Sequence, residues 1–256
     1  TIEKGDMVKD SKFKSLIKNN FLTTYCKKIL QKISIHIKKF IPNENTRLRI
    51  ASSLILVPIA IHAIFFSTST FFILVLAITI IMTIEWLDIT RSAKNYKKWR
   101  LIGFFYILIP IYCIIQIRLI DPYILLWMFV IIWSTDIFAF FAGRAIGGPK
   151  LAPNISPNKT WSGLVGGLVA CSLIGLISSI LFSGGVMFFV LASLILSIIE
   201  QLSDLLESKI KRIFSIKDSG SIIPGHGGII DRLDGIVLVA PTMLFLITFF
   251  PNNFFN

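Results

Sequence analysis

The sequence predicts an all-α, polytopic integral membrane helical bundle with a polar cavity at its cytoplasmic end, and three observations carry that prediction. Of the 256 residues, 54% are hydrophobic and only 16% are charged, against roughly 25% charged in an ordinary soluble domain. Mean hydropathy is +0.77, and the apolar residues gather in blocks long enough to cross a bilayer. The basic residues lie between these blocks, nearly all on one side. This composition excludes a soluble globular enzyme, a disordered chain and a disulfide scaffold. Cys26, Cys113 and Cys171 are too scattered for a disulfide framework or a metal site and read as packing residues.

Residues 1–48 form a basic extension and residues 49–256 the multi-span membrane domain. Up to residue 49 the chain holds 12 Lys/Arg and 4 Asp/Glu. Phe13, Leu16, Ile17, Leu22, Tyr25, Ile29, Ile33, Ile37 and Phe40 recur there at helical spacing with lysines between them. That pattern suits an amphipathic helix lying on anionic membrane lipids, with a solvated basic tail as the plainer alternative. The first long apolar run begins only after residue 49, so no cleavable signal peptide is expected. Apolar runs at about 50–66, 69–88, 101–119, 122–142, 160–182, 184–203 and 236–250 predict seven spans. Connections of a few residues at 67–70, 120–122 and 183–185 make their flanking helices antiparallel neighbours.

The side of the membrane follows from charge. If the spans alternate, 25 of the 26 Lys/Arg fall on one side, Arg118 being the exception, and that side is cytoplasmic. Thirteen of the fourteen acids lie on the same side or at the span ends nearest it; only Asp121 faces away. Glu85 and Asp88 end the second span, Glu200, Asp204 and Glu207 end the sixth, and Asp136 lies roughly 10 Å of helix inside Gly143. A charge at mid-bilayer costs about 2.5–3.5 kcal/mol on insertion scales. Acids that converge on one end therefore favour an interfacial site over a transport path. The net charge of +12 fits anionic lipid or a phosphorylated substrate; nucleic acid is not expected, since the apolar blocks leave little room for a reading domain.

Three segments carry chemistry. Glu200, Asp204, Glu207 and Lys211 are spaced four, three and four apart, which puts them on one helical stripe. Carboxylates so close repel unless a cation lies among them, and hard oxygen ligands suit Mg²⁺; the alternative is a solvated helix end with a Glu207–Lys211 ion pair. The stretch SKIKRIFSIKDSGSIIPGHGGIIDRLD, Ser208–Asp234, places Lys209, Lys211, Arg212 and Lys217 ahead of a glycine turn, then Asp231 and Asp234 three apart. Glycines admit phosphate close to backbone N–H groups, and basic side chains offset its charge. His226, alone in that turn, reads first as structural. The third segment, GRAIGGPKLAPNISPNKTWSGLVGG, has prolines that keep it non-helical until Ser156 or Asn158 can cap the fifth span. Lys159 beside that helix start makes an anion site, and Gly163 and Gly167 make a close-packing face.

Ser208–Asp234 resembles the diagnostic motif of the phosphatidate cytidylyltransferases (CDP-diacylglycerol synthases). Ser208, Lys211, Arg212, Lys217, Asp218, His226, Gly227, Gly228, Asp231, Arg232 and Asp234 stand at the motif's places. The GRAIGGPKLAPNISPNKTW stretch is similar to the family's other cytoplasmic loop, and the likeness spans roughly residues 47–250. Ser203 stands where the family usually has Gly before the metal-binding Asp, and Ser162 where it often has Glu.

The resemblance implies CTP + phosphatidate → CDP-diacylglycerol + pyrophosphate in phospholipid biosynthesis, at the inner (plasma) membrane, with Mg²⁺, to which a second cation can be added. It also implies eight or nine spans, of which the seven apolar runs fall short, so about 7–9 are expected. On it, Asp204 and Asp231 are the metal ligands, and these two with Asp234 and Lys211 form the catalytic set. Asp234 either supports that metal or holds a second. Lys159, Ser208, Arg212, Lys217, His226 and Arg232 bind CTP or phosphate, and Asp136, Glu200 and Glu207 stand behind the ligands as supporting candidates. A homodimer is compatible with the family. A different membrane lipid phosphotransferase would share the metal and basic residues, but the repeated-Asp spacing of the CDP-alcohol phosphotransferases is not found. A cation-coupled transporter would spread its acids across the bilayer and interrupt helices in matching halves, and neither pattern is present.

Overall fold

Helix formation follows hydropathy through residues 58–220 and 227–255, which the computed structural model describes. The N-terminal extension, with Cys26, and residues 50–57 of the first expected span lie outside them; residues 58–65 are helical. Six helical segments among the described residues are long and apolar enough to cross a membrane.

Helix α1 spans Thr68–Thr90, α2 Tyr96–Ile120 and α3 Pro122–Ile146. Strands β1, Lys150–Ala152, and β2, Ser156–Thr160, follow. Then come α4, Trp161–Leu181, and α5, Val186–Ile213. The last segment is a short α6, Ile230–Leu233, running on through Asp234 and Gly235 into α7, Ile236–Phe249. At 1.5 Å per residue, a 25-residue helix such as α3 is about 37 Å long, enough to span a hydrocarbon core of about 30 Å.

Local signals set the ends. Ser67 caps α1 by accepting from Thr70 N at 3.1 Å. Asp121 caps α3 by accepting from Tyr123 N at 2.6 Å, with Pro122 in the first turn, where its missing N–H costs nothing. Gly147 and Gly148, at φ 67° and 103°, end α3 in a conformation that L side chains rarely adopt.

Beyond them the sequence expectation is corrected. The segment before the fifth span is not merely irregular: β1 and β2 pair antiparallel, with Lys150 opposite Thr160 and Ala152 opposite Ser156. Ser156 and Asn158 are used in that hairpin, so neither caps the helix. Thr160 does, its Oγ1 accepting from Gly163 N at 3.1 Å. The α5 helix also runs ten residues beyond the apolar run that predicted it. It therefore carries the whole Glu200–Lys211 stripe on one rigid element.

Helices α3 and α4 pack most closely, through small residues as the spacing of Gly163 and Gly167 predicts. A Cβ on Gly163 would lie 2.8 Å from the Ala139 carbonyl oxygen, and one on Gly167 3.2 Å from Thr135. The apolar core runs between α2, α3, α5 and α7, where Ile117, Leu125, Met128, Phe189, Leu196 and Met243 are buried. Cys113 and Cys171 are buried there too. Outward-facing residues are apolar as well: Ile180 is 78% exposed and Met187 70%. A surface of that kind is stable against lipid, not water.

Candidate active site

The polar residues that such a bundle cannot place against lipid collect at one end. Helix α5 supplies Glu200, Gln201, Asp204, Glu207, Ser208 and Lys211 over three turns. Helix α6 and the Asp234–Gly235 turn face them with Asp231 and Asp234, and β2 brings Lys159 from the hairpin.

Oxygen atoms of Asp204, Glu207 and Asp234 all lie within 4.8 Å of one another. Glu207 is 2% exposed, and its Oε1 is buried with no hydrogen-bond partner. Two lysines flank the trio. Lys159 forms an ion pair with Asp204 and donates to Gln201 Oε1 at 3.0 Å. Lys211 lies 2.8 Å from Glu207 Oε2 and 3.0 Å from Asp231 Oδ1. The expected Glu207–Lys211 pair is thus made, and the same ammonium reaches a second helix. Ser208 donates to Asp204 Oδ1 at 3.3 Å.

Asp231 and Asp234 have different surroundings, although three residues separate them. Asp231 accepts from Lys211 and, through Oδ2, from Ser219 N at 2.8 Å and Gly228 N at 3.0 Å. Its carboxylate ties the end of α5 to the loop before α6. Asp234 accepts from Gly235 N at 2.8 Å and contributes to the trio. The two serines that stand where the family often has other residues both act as connectors. Ser203 donates to the Asp234 carbonyl and accepts from Leu238 N at 3.3 Å, fastening α5 to α7. Ser162 donates to the Gly147 carbonyl at 2.5 Å, fastening α4 to the end of α3.

Beside the trio, and joined to it through Lys159, lies a cavity of about 560 Å³. Asp136, Arg144, Lys150, Asn158, Lys159 and Gln201 give it its polar lining. Asp136 faces Glu200, which is fully buried behind it and lies against Gly235.

The other predicted residues fall around this centre. Arg212 is exposed and donates to the carbonyls of Ile155, at 3.2 Å, and Ile216, at 3.3 Å, so it links the hairpin to the end of α5. Lys217 and Arg232 are exposed near the same end. His226 lies outside the described residues. Gln201, Ser219 and the buried Glu85 also serve the site without having been singled out for it. Gln201 carries no sequence signal at all; Glu85 carries one, a carboxylate closing an apolar helix.

Carboxylates and lysines gathered at one end of a membrane bundle, around a polar cavity large enough for a small ligand, have the make-up of a polytopic membrane enzyme's site. Comparison with known proteins specifies the class. The model of the cytidylyltransferase family matches residues 100–250. The phosphatidate cytidylyltransferase of Rickettsia bellii is 42% identical over 229 residues, covering 85% of this chain and 97% of that one. Its counterpart in Rickettsia felis is 41% identical over 229 residues, covering 85% and 98%. The phosphatidate cytidylyltransferase of Brucella abortus biovar 1 is 42% identical over 171 residues, 65% of this chain and 61% of that one. The chain belongs to the cytidylyltransferase family and is an enzyme of the nucleotidyltransferase class.

Proposed function

We propose that the enzyme transfers the cytidylyl group of CTP to phosphatidate, forming CDP-diacylglycerol and pyrophosphate at the cytoplasmic face of the inner membrane. The relatives' names supply the substrates, and the sidedness rests on the Lys/Arg beyond residue 50, 13 of 14 of which fall on the site's side when the spans alternate. The observation that carries the reading is the carboxylate trio held between Lys159 and Lys211 at one end of the bundle.

A phosphate-oxygen of the lipid attacks the α-phosphorus of CTP; the new P–O bond forms as the bond to the β-phosphate bridging oxygen breaks, and pyrophosphate leaves. The lipid phosphate already carries about −1.5 to −2 charges at neutral pH, so no general base is needed. The barrier is the approach of one anion to another, and positioning with charge neutralisation lowers it.

Lys159 and Lys211 supply positive charge on either side of the acids. Arg212, Lys217 and Arg232 add charge at the exposed rim. The donor set fits a hard divalent cation: three carboxylates converge, and one buried oxygen of Glu207 lacks any donor. Asp204, Glu207 and Asp234 would hold Mg²⁺, which when bound offsets the charge of the triphosphate. Asp231, already engaged by Lys211 and two backbone N–H groups, orients Lys211 in this arrangement.

The test is purified protein in vesicles containing phosphatidate, supplied with labelled CTP and Mg²⁺. A labelled nucleotide-bearing lipid is expected from the wild type and none from a correctly inserted Asp204→Asn variant. Absence of that lipid from correctly folded and inserted wild type would overturn the substrate assignment. Normal turnover by Asp204→Asn would remove its role.

A further inference from the structure

Glu85, at the end of α1, is 2% exposed and lies 134 to 145 residues in sequence from the groups that fill its carboxylate. Its Oε1 accepts from Ile229 N at 2.9 Å, and its Oε2 accepts from Ile230 N at 3.0 Å and Ser219 Oγ at 3.1 Å. The same Ser219 reaches Asp231 twice: its N–H donates to Oδ2 at 2.8 Å, and its Oγ accepts from Asp231 N at 3.3 Å. Asp231 in turn holds Lys211, which holds Glu207.

The loop is shaped to this carboxylate. A Cβ on Gly220 would lie 2.7 Å from Glu85 Oε1, and one on Gly228 would collide with Ser219 Oγ and lie 2.7 Å from Glu85 Oε2. Gly227, at φ 80°, turns the chain so that the next three N–H groups point at two carboxylates, Gly228 at Asp231 and Ile229 and Ile230 at Glu85.

We infer that Glu85 is a positioning residue of the transfer reaction: by clamping Ser219, Ile229 and Ile230 it sets where Asp231 holds Lys211 beside the carboxylate trio. The inference rests on the reading of the site given above. A carboxylate is specifically required, because all its neighbours are donors. A glutamine offers one acceptor oxygen and turns an NH₂ group toward backbone N–H groups.

The test uses the full chain in lipid nanodiscs as wild type, Glu85→Gln and Glu85→Asp, read by hydrogen exchange and by steady-state kinetics. In Glu85→Gln, amides of residues 228–231 exchange at least tenfold faster while those of α3 and α4 keep their wild-type rates. The kcat falls by about 100-fold with the KM for CTP and for phosphatidate within threefold, since Lys211 is displaced from reacting phosphates rather than removed. Glu85→Asp, which keeps the charge, recovers part of both losses. Unchanged exchange at 228–231, or a kcat within threefold of wild type, overturns the inference. If Glu85→Gln does not insert, Ser219→Ala, which removes the hydroxyl that bridges Glu85 and Asp231 N but leaves the Ser219 N–H on Asp231, is judged by the same two measures, with smaller shifts expected in each. If the wild type makes no nucleotide-bearing lipid, the substrate reading fails, while the exchange rates still decide whether Glu85 holds the loop.

Discussion

Replacing Asp234 by asparagine should stabilise the cation-free protein and cripple the enzyme, and the two effects together test the site. The oxygens of Asp204, Glu207 and Asp234 lie within 4.8 Å of one another. Two unit charges at that separation repel by about 3.5 kcal/mol at an effective dielectric of about 20. Asp234 takes part in two such pairs, whereas Lys159 and Lys211 directly contact Asp204 and Glu207. Asparagine keeps an Oδ1 to accept from Gly235 N and removes both repulsions. After the attraction of the nearby lysines is subtracted, a gain of about 1–3 kcal/mol remains, or roughly 2–12 °C in melting temperature. The assay is thermal unfolding in detergent with EDTA and again with Mg²⁺, alongside turnover. The variant melts higher than wild type in EDTA, gains less from Mg²⁺, and turns over about 10²–10³-fold more slowly, the range expected when one group that stabilises transition-state charge is lost. A variant that melts lower in EDTA with undiminished turnover would refute both the repulsion and the assignment of Asp234 to the site.

Lys211→Met removes the cation between Glu207 and Asp231 while keeping much of the side-chain volume. It should cost about 3–5 kcal/mol in thermal or denaturant unfolding, as breaking a buried ion pair does. Gly163→Leu drives a side chain into the Ala139 carbonyl; reduced yield of monodisperse protein and a lower melting temperature are expected, by about 2–4 kcal/mol, with Val165→Leu on the exposed face as the silent control. Lys159→Met should raise the KM for CTP at least tenfold, measured at saturating phosphatidate, because the cavity loses the ammonium that joins it to Asp204.

Much of the bundle was legible because hydropathy is a local, additive property. Runs of about twenty apolar residues became α1 to α5 and α7, and the Gly163/Gly167 spacing became the α3–α4 seam. The hairpin was not legible. Three prolines argued only against helix, and the pairing of Lys150 with Thr160 depends on where α3 and α4 set the two ends of the loop. The site was legible as an inventory: Lys159, Asp204, Glu207, Lys211, Asp231 and Asp234 do meet at one end. Their division of labour was not. Asp231 and Asp234 share a helical face on paper, yet one is filled by Lys211 and backbone N–H groups and the other joins the trio. Glu85 showed the same gap, since no spacing rule links an acid on α1 to amides that begin α6.

Composition and order along the chain therefore determined that this protein is a membrane bundle, which end carries its charge and which residue types reach that end. Partition into hydrocarbon is decided residue by residue and needs no knowledge of neighbours. Only the tertiary structure decided which carboxylates converge, which are already filled and which hold the loop. Those outcomes depend on the rotation of each helix about its own axis, and close packing between distant segments sets that rotation to within an ångström.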